Sequence, residues 1–178
     1  MNYQPPFSKL DESKFRIFVD GSYNQNIGMG AIGCCFPLTY KNRKIVSNGN
    51  SYSKLFQAKS SVDMELKAIE KGIEILKILI QDNPFLKENC IAIKNDCIFV
   101  VNQIYKGKKK NGDETQYTEE QILLMRDLSQ EIKSLKGNGI LLKLSYIPKK
   151  LNFAHYYCYN SLRKKFEQIC ERQGGKEI

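Results

Sequence analysis

The order of elements legible in the chain predicts one mixed α/β domain. Two observations carry that expectation. Three β-like stretches come first, as in an antiparallel meander. A long stretch with helical period follows, and after it helices interleave with two further short strands. The 178 residues are 42% hydrophobic and 26% charged, ordinary globular usage that excludes wholesale disorder and a coiled-coil rod. No apolar run approaches the ~20 residues of a membrane span, and Glu74 and Lys77 break the longest candidate, Ile73 to Ile80. Residues 1–13 read as a flexible arm, 14–173 as the domain and 174–178 as a tail.

Phe15, Ile17 and Val19 alternate with Arg16 and Phe18 and lead into Asp20-Gly21-Ser22, which reads as a strand ending in a turn. Gly28 to Phe36 is small, apolar and β-like, and Lys44 to Tyr52 reads as a third strand. Ser60 and Ser61 offer N-caps for a helix, and Asp63 and Glu65 suit its positive end. Met64, Ala68, Ile69, Ile73, Leu76 and Ile80 then repeat with helical period, and Asn83-Pro84 ends the run. Cys90 to Lys94 is a short strand, and a helix from about Cys97 to Tyr105 leads into the basic loop Lys106 to Gly112. Thr118-Glu119-Glu120-Gln121 opens a helix that Gly137-Asn138-Gly139 stops. Ile140 to Ile147 is a fifth strand, Pro148 breaks it, and a last helix runs from about Asn152 to Arg172.

Charge points to the partner. With 28 Lys+Arg against 19 Asp+Glu the chain carries +9, which suggests a polyanion, most often nucleic acid. Lys106, Lys108, Lys109 and Lys110 form one basic cluster; Lys149, Lys150, Arg163, Lys164 and Lys165 form another. The six cysteines include no C-x-x-C pair and fall mostly in apolar or helical stretches, so they read as reduced. The N-terminus has neither a basic nor an apolar region of a secretory signal, and the reading is an intracellular protein, cytoplasmic or nuclear.

Chemistry in such a sheet sits where loops leave the strands. Asp20 ends the first predicted strand, Asp96 follows the fourth, and Glu65 lies one turn into the first helix. Taken singly, each also suits a turn, an N-cap or a helix dipole. Taken together, converging carboxylates repel one another, and a divalent cation removes that cost. Oxygen donors suit Mg²⁺ or Mn²⁺, and two such ions on shared carboxylates form a phosphodiester-cleaving clamp.

These residues, in this order, resemble type 1 ribonuclease H. Phe18-Val19-Asp20-Gly21-Ser22 is similar to the family's first strand, and Gly28-Met29-Gly30-Ala31-Ile32-Gly33 to its glycine-rich second. Met64-Glu65-Leu66 is similar to the helix bearing the family's Glu, and Asn95-Asp96 to the turn bearing its next Asp. Gly107 to Gly112 resembles the family's basic protrusion. The resemblance implies a five-stranded mixed sheet, three strands antiparallel and the rest parallel, flanked by helices. It implies two Mg²⁺ or Mn²⁺ ions and hydrolysis of the RNA strand of RNA–DNA hybrids. A monomer with no membrane partner is expected. Asp20, Glu65 and Asp96 would be the catalytic metal ligands. Nucleic-acid contacts would come from Ser22, Asn95, Lys106, Lys108, Lys109, Lys110, Lys149 and Lys150.

The pattern departs from the family's at the last helix, where an acid is expected and Asn152-Phe153-Ala154-His155 places His155, the chain's sole histidine. His155 is the expected fourth ligand, and a shifted register would put Tyr156 there instead. The loop before that helix, Ile147 to Leu151, lacks the family's His, and Ser61, Val62 and Asp63 stand where asparagines usually read the minor groove. These departures leave room for two rival readings: a nucleic-acid-binding module without turnover, or a subunit of a reverse-transcription or transposition machine.

Overall fold

A computed structural model describes residues 15–41, 44–88, 90–106 and 117–174. The predicted arm, Lys108, Lys109 and Lys110 of the basic loop, and residues 175–178 lie outside the described residues. The elements run β1 (Phe15–Asn24), β2 (Met29–Lys41), β3 (Lys44–Gln57), α1 (Ser61–Asp82), β4 (Ile91–Asn95), α2 (Ile98–Lys106), α3 (Glu119–Gly137), β5 (Leu142–Tyr146) and α4 (Phe153–Gly174). Short 3-10 turns at Pro84–Glu88 and Lys149–Leu151 lead into β4 and α4. The five strands stand in the order β3-β2-β1-β4-β5. β1 pairs antiparallel with β2 and β2 with β3, while β1–β4 and β4–β5 are parallel. This is the mixed sheet that the resemblance implies.

Strand alternation divides the core between two faces. Ile17, Val19, Ile32 and Cys34 pack with Met64, Ile69, Ile73 and Leu76 of α1 and with apolar residues of α2 and α3. Phe18, Cys35 and Ala31 point the other way, onto Ala154, Cys158 and Leu162 of α4. The vicinal Cys34 and Cys35 therefore face opposite sides of the sheet, and burial pushes both thiols up to about 12. The described cysteines are all free, as the sequence reading expects.

Helix ends are fixed by side chains. Ser60 caps α1 by accepting from the Asp63 amide at 3.2 Å. Thr118 and Gln121 form a capping box at the start of α3. The Gln121 amide also donates to Ser60 Oγ at 3.1 Å and Asp63 Oδ1 at 2.7 Å, tying the first turn of α1 to α3.

One expectation is corrected here. Asp20-Gly21-Ser22 is not a turn: β1 continues through it to Asn24, and Gly21 stays in register with Ile32 of β2. The glycine answers a close crossing. A Cβ at Gly21 would lie 2.3 Å from both the Glu65 nitrogen and the Met64 carbonyl carbon, backbone atoms with no room to yield. Gly21→Ala should therefore force α1 off the sheet and cost about 3 kcal/mol, read as a shift in the urea midpoint.

Candidate active site

The site lies where β1, the end of β4, the second turn of α1 and the start of α4 meet. Asp20 sits within β1 and is 2% exposed. Asp96 follows β4 directly. His155 is in the first turn of α4, where Asn152 Oδ1 accepts from the Ala154 amide at 3.2 Å and organises the helix start. Ligand atoms of Asp20, Asp96 and His155 all lie within 4.8 Å of one another. His155 Nδ1 is 2.8 Å from Asp20 Oδ2. Tyr156, the shifted-register alternative, is 38% exposed.

Glu65 stands beside this threesome rather than in it. Its Oε2 accepts from the Gly21 amide at 3.1 Å and from Asn95 Nδ2 at 2.8 Å. It is buried, and burial with the nearby Asp20 and Asp96 charges pushes its carboxyl up to about 8, against the two donors that hold it down. Asp96 is raised to about 6, first by burial and then by the charge of Asp20 and a hydrogen bond with it.

Asn95, a predicted nucleic-acid contact, is completely buried and turns inward to Glu65. Its amide also donates to the Val19 carbonyl at 3.3 Å, and its Oδ1 accepts from the Cys97 amide at 2.8 Å, at the start of α2. Asn152 donates to the same Val19 carbonyl at 2.9 Å. Two buried asparagines thus grip the peptide next to Asp20. Sequence reasoning misses Asn152 as an anchor; its place at the head of Asn152-Phe153-Ala154-His155 is the one available signal.

The other predicted contacts are scattered. Ser22 lines a cleft between the β1–β2 turn and α4. Lys149 and Lys150 are exposed just before α4, and Lys106 is the last residue of α2.

Two carboxylates and an imidazole converge here. Burial and then the charges of neighbouring acids raise the Glu65 and Asp96 carboxyls, a cost that a divalent cation held by this donor set would remove. Carboxylate oxygens suit Mg²⁺ and Mn²⁺, and the imidazole shifts the balance toward Mn²⁺.

Comparisons with known proteins agree with this architecture. No curated protein matches the sequence. RNase H1 from the halophilic archaeon Halobacterium salinarum is similar in structure, with 16% identity, a TM-score of 0.55, and coverage of 82% of this chain and 93% of that one. LC11-RNase H1, isolated from compost, is similar at 17% identity and a TM-score of 0.59, covering 86% of this chain and 99% of that one. The same LC11 protein in complex with an RNA/DNA hybrid gives 17% identity, a TM-score of 0.53, and coverage of 81% and 92%. Identities this low speak for the fold. Among the described residues no helix is long and apolar enough to cross a membrane. The RNase H family model matches residues 12–149, most of the chain, and the chain belongs to the RNase H family of ribonuclease hydrolases.

Proposed function

We propose that the chain is a divalent-metal-dependent endoribonuclease that hydrolyses the RNA strand of RNA–DNA hybrids. The convergence of Asp20, Asp96 and His155 within 4.8 Å, beside the buried Glu65, carries this reading. Bound Mg²⁺ or Mn²⁺, two ions in the family's arrangement, would activate water and stabilise charge on the phosphate. The chain's own residues set the stage for that chemistry. Asp20, held in a paired strand and flanked by the two asparagine anchors, would hold the metal together with Asp96 and His155. Glu65 would add a further carboxylate, oriented by Gly21 and Asn95. That placement also suits contact with a 2′-hydroxyl, the group that separates RNA from DNA. The exposed Lys149 and Lys150 beside α4 suit backbone phosphates, and the hybrid seen with LC11-RNase H1 supports this substrate class.

The test is cleavage of an end-labelled hybrid with Mg²⁺ and with Mn²⁺. The expected outcome is cutting of the RNA strand to 5′-phosphate and 3′-hydroxyl ends, faster with Mn²⁺ than with Mg²⁺. Protein that binds hybrid yet cuts it with neither metal would contradict the proposal. His155→Asp should shift the rate ratio toward Mg²⁺ by about tenfold, the order expected when a ligand's hardness changes. An unchanged ratio removes His155 from the ligand set. The hydrogen bond between His155 and Asp20 favours one second reading, a binding module whose imidazole occupies the carboxylate instead of a metal. Salt-sensitive binding without turnover is its signature in the same assay.

A further inference from the structure

We infer that the cleft between the β1–β2 turn and α4 is a subsite for a nucleotide of the cleaved strand, away from the cut. This rests on the proposed nuclease reading for its ligand. The cleft has a volume of about 360 Å³ and is lined by Ser22, Asn24 and Asn26 on one side and Tyr159, Arg163 and Phe166 on the other. A volume in this range suits a small ligand. The lining combines three chemistries that together fit a nucleotide. Tyr159 is 53% exposed and offers a ring face for stacking. Arg163 offers a guanidinium for phosphate. The polar turn offers amide groups for sugar hydroxyls and base edges. Asn24 Oδ1 accepts from the Asn26 amide at 3.0 Å, which shapes that turn and leaves the Asn24 amide nitrogen pointing away from this bond.

Continuity with the candidate active site sets the direction. His155, Tyr159 and Arg163 are spaced four residues apart, so they form one stripe along α4. His155 and Tyr159 are stacked, with centroids 6.1 Å apart and planes at 29°. From His155 to Arg163 the helix rises roughly 12 Å, a few steps of a strand at ~3.4 Å each. A strand seated at Asp20 and following this stripe passes over Tyr159 to reach Arg163. The ion pair from Arg163 Nε to Glu167 at 3.3 Å is exposed on both sides and costs little to rearrange.

The test measures binding rather than turnover, in EDTA, so a failure of the nuclease reading leaves it readable. Short hybrids are compared whose RNA strand ends at the site or carries a few further nucleotides at its 5′ or 3′ end. Wild-type affinity should rise with the extension at one end only. Tyr159→Ala should lose roughly fivefold or more of the affinity for that extended hybrid and leave the short one unchanged, while Tyr159→Phe keeps both. Arg163→Ala should lower the slope of log affinity against log salt by ~0.7–0.9 for the extended hybrid alone. If Tyr159→Ala binds both hybrids like wild type, or weakens both equally, the subsite is wrong.

Discussion

Asp20→Asn should lower hybrid cleavage by about a thousandfold or more, a loss of ~4 kcal/mol of transition-state stabilisation, while the protein stays folded and binds hybrid. The carboxylate is 2% exposed and is drawn together with both Asp96 and His155, so no other residue can take its place between them. Asparagine matches its shape and can still hydrogen-bond His155, so packing is preserved. The lost charge is also one that raises both Glu65 and Asp96. Its removal relieves repulsion, and the metal-free variant should melt no lower than wild type. A melting curve beside the kinetic assay separates this outcome from simple unfolding. Hybrid binding should hold, because the proposed phosphate contacts of Lys149 and Lys150 lie outside the cluster.

The metal-free protein should lose stability as pH rises from about 4.5 to 8, and a divalent cation should reverse that loss. Glu65 has an ordinary value of 4.5 and is raised to about 8 in the folded chain, so the folded state holds a proton that the unfolded state has released. A raised carboxyl contributes stability below its unfolded value, and that contribution disappears as pH climbs through the folded value. Asp96, raised from 3.8 to about 6, adds the same sign over a lower window. A cation binds the deprotonated forms and displaces these protons, so its affinity should rise with pH up to about 8 and then level off. Melting temperatures from pH 5 to 8, with and without Mn²⁺, check both statements. Glu65→Gln keeps an oxygen for the Gly21 and Asn95 donors and cannot ionise, so it should flatten the metal-free slope. A melting temperature that rises across this window without metal would contradict the assignment.

Much of this architecture can be read from the sequence because its signals are local. Period along α1, Ser60 as its cap, Pro84 after its end and Pro148 after β5 all act within a turn or two of chain. What escapes such reading depends on partners distant in sequence. Gly21 resembles a turn former, yet its constraint comes from α1 packed against β1. β3 runs to Gln57, past the predicted Tyr52, because Leu55 packs against the α4 side and Phe56 against the α1 side. Leu55 and Phe56 are adjacent and half-buried on opposite faces, so this stretch lacks the apolar–polar alternation that would reveal a strand.

The candidate site divides along the same line. Asp20, Glu65 and Asp96 are found from strand ends and the family resemblance, and the fold draws them together. Asn95 has the composition of a surface hydrogen-bonding residue; only the packing shows that it turns inward to Glu65 and Val19. Tyr159 lies one turn after His155, but its cleft exists only because α4 passes the β1–β2 turn.

Anomalous scattering from crystals of the full chain soaked in Mn²⁺ should show a peak bonded to Asp20, Asp96 and His155, the three groups proposed as a divalent-metal site. A crystal that shows no Mn²⁺ among these three, at a concentration that drives hybrid cleavage in solution, would contradict that assignment.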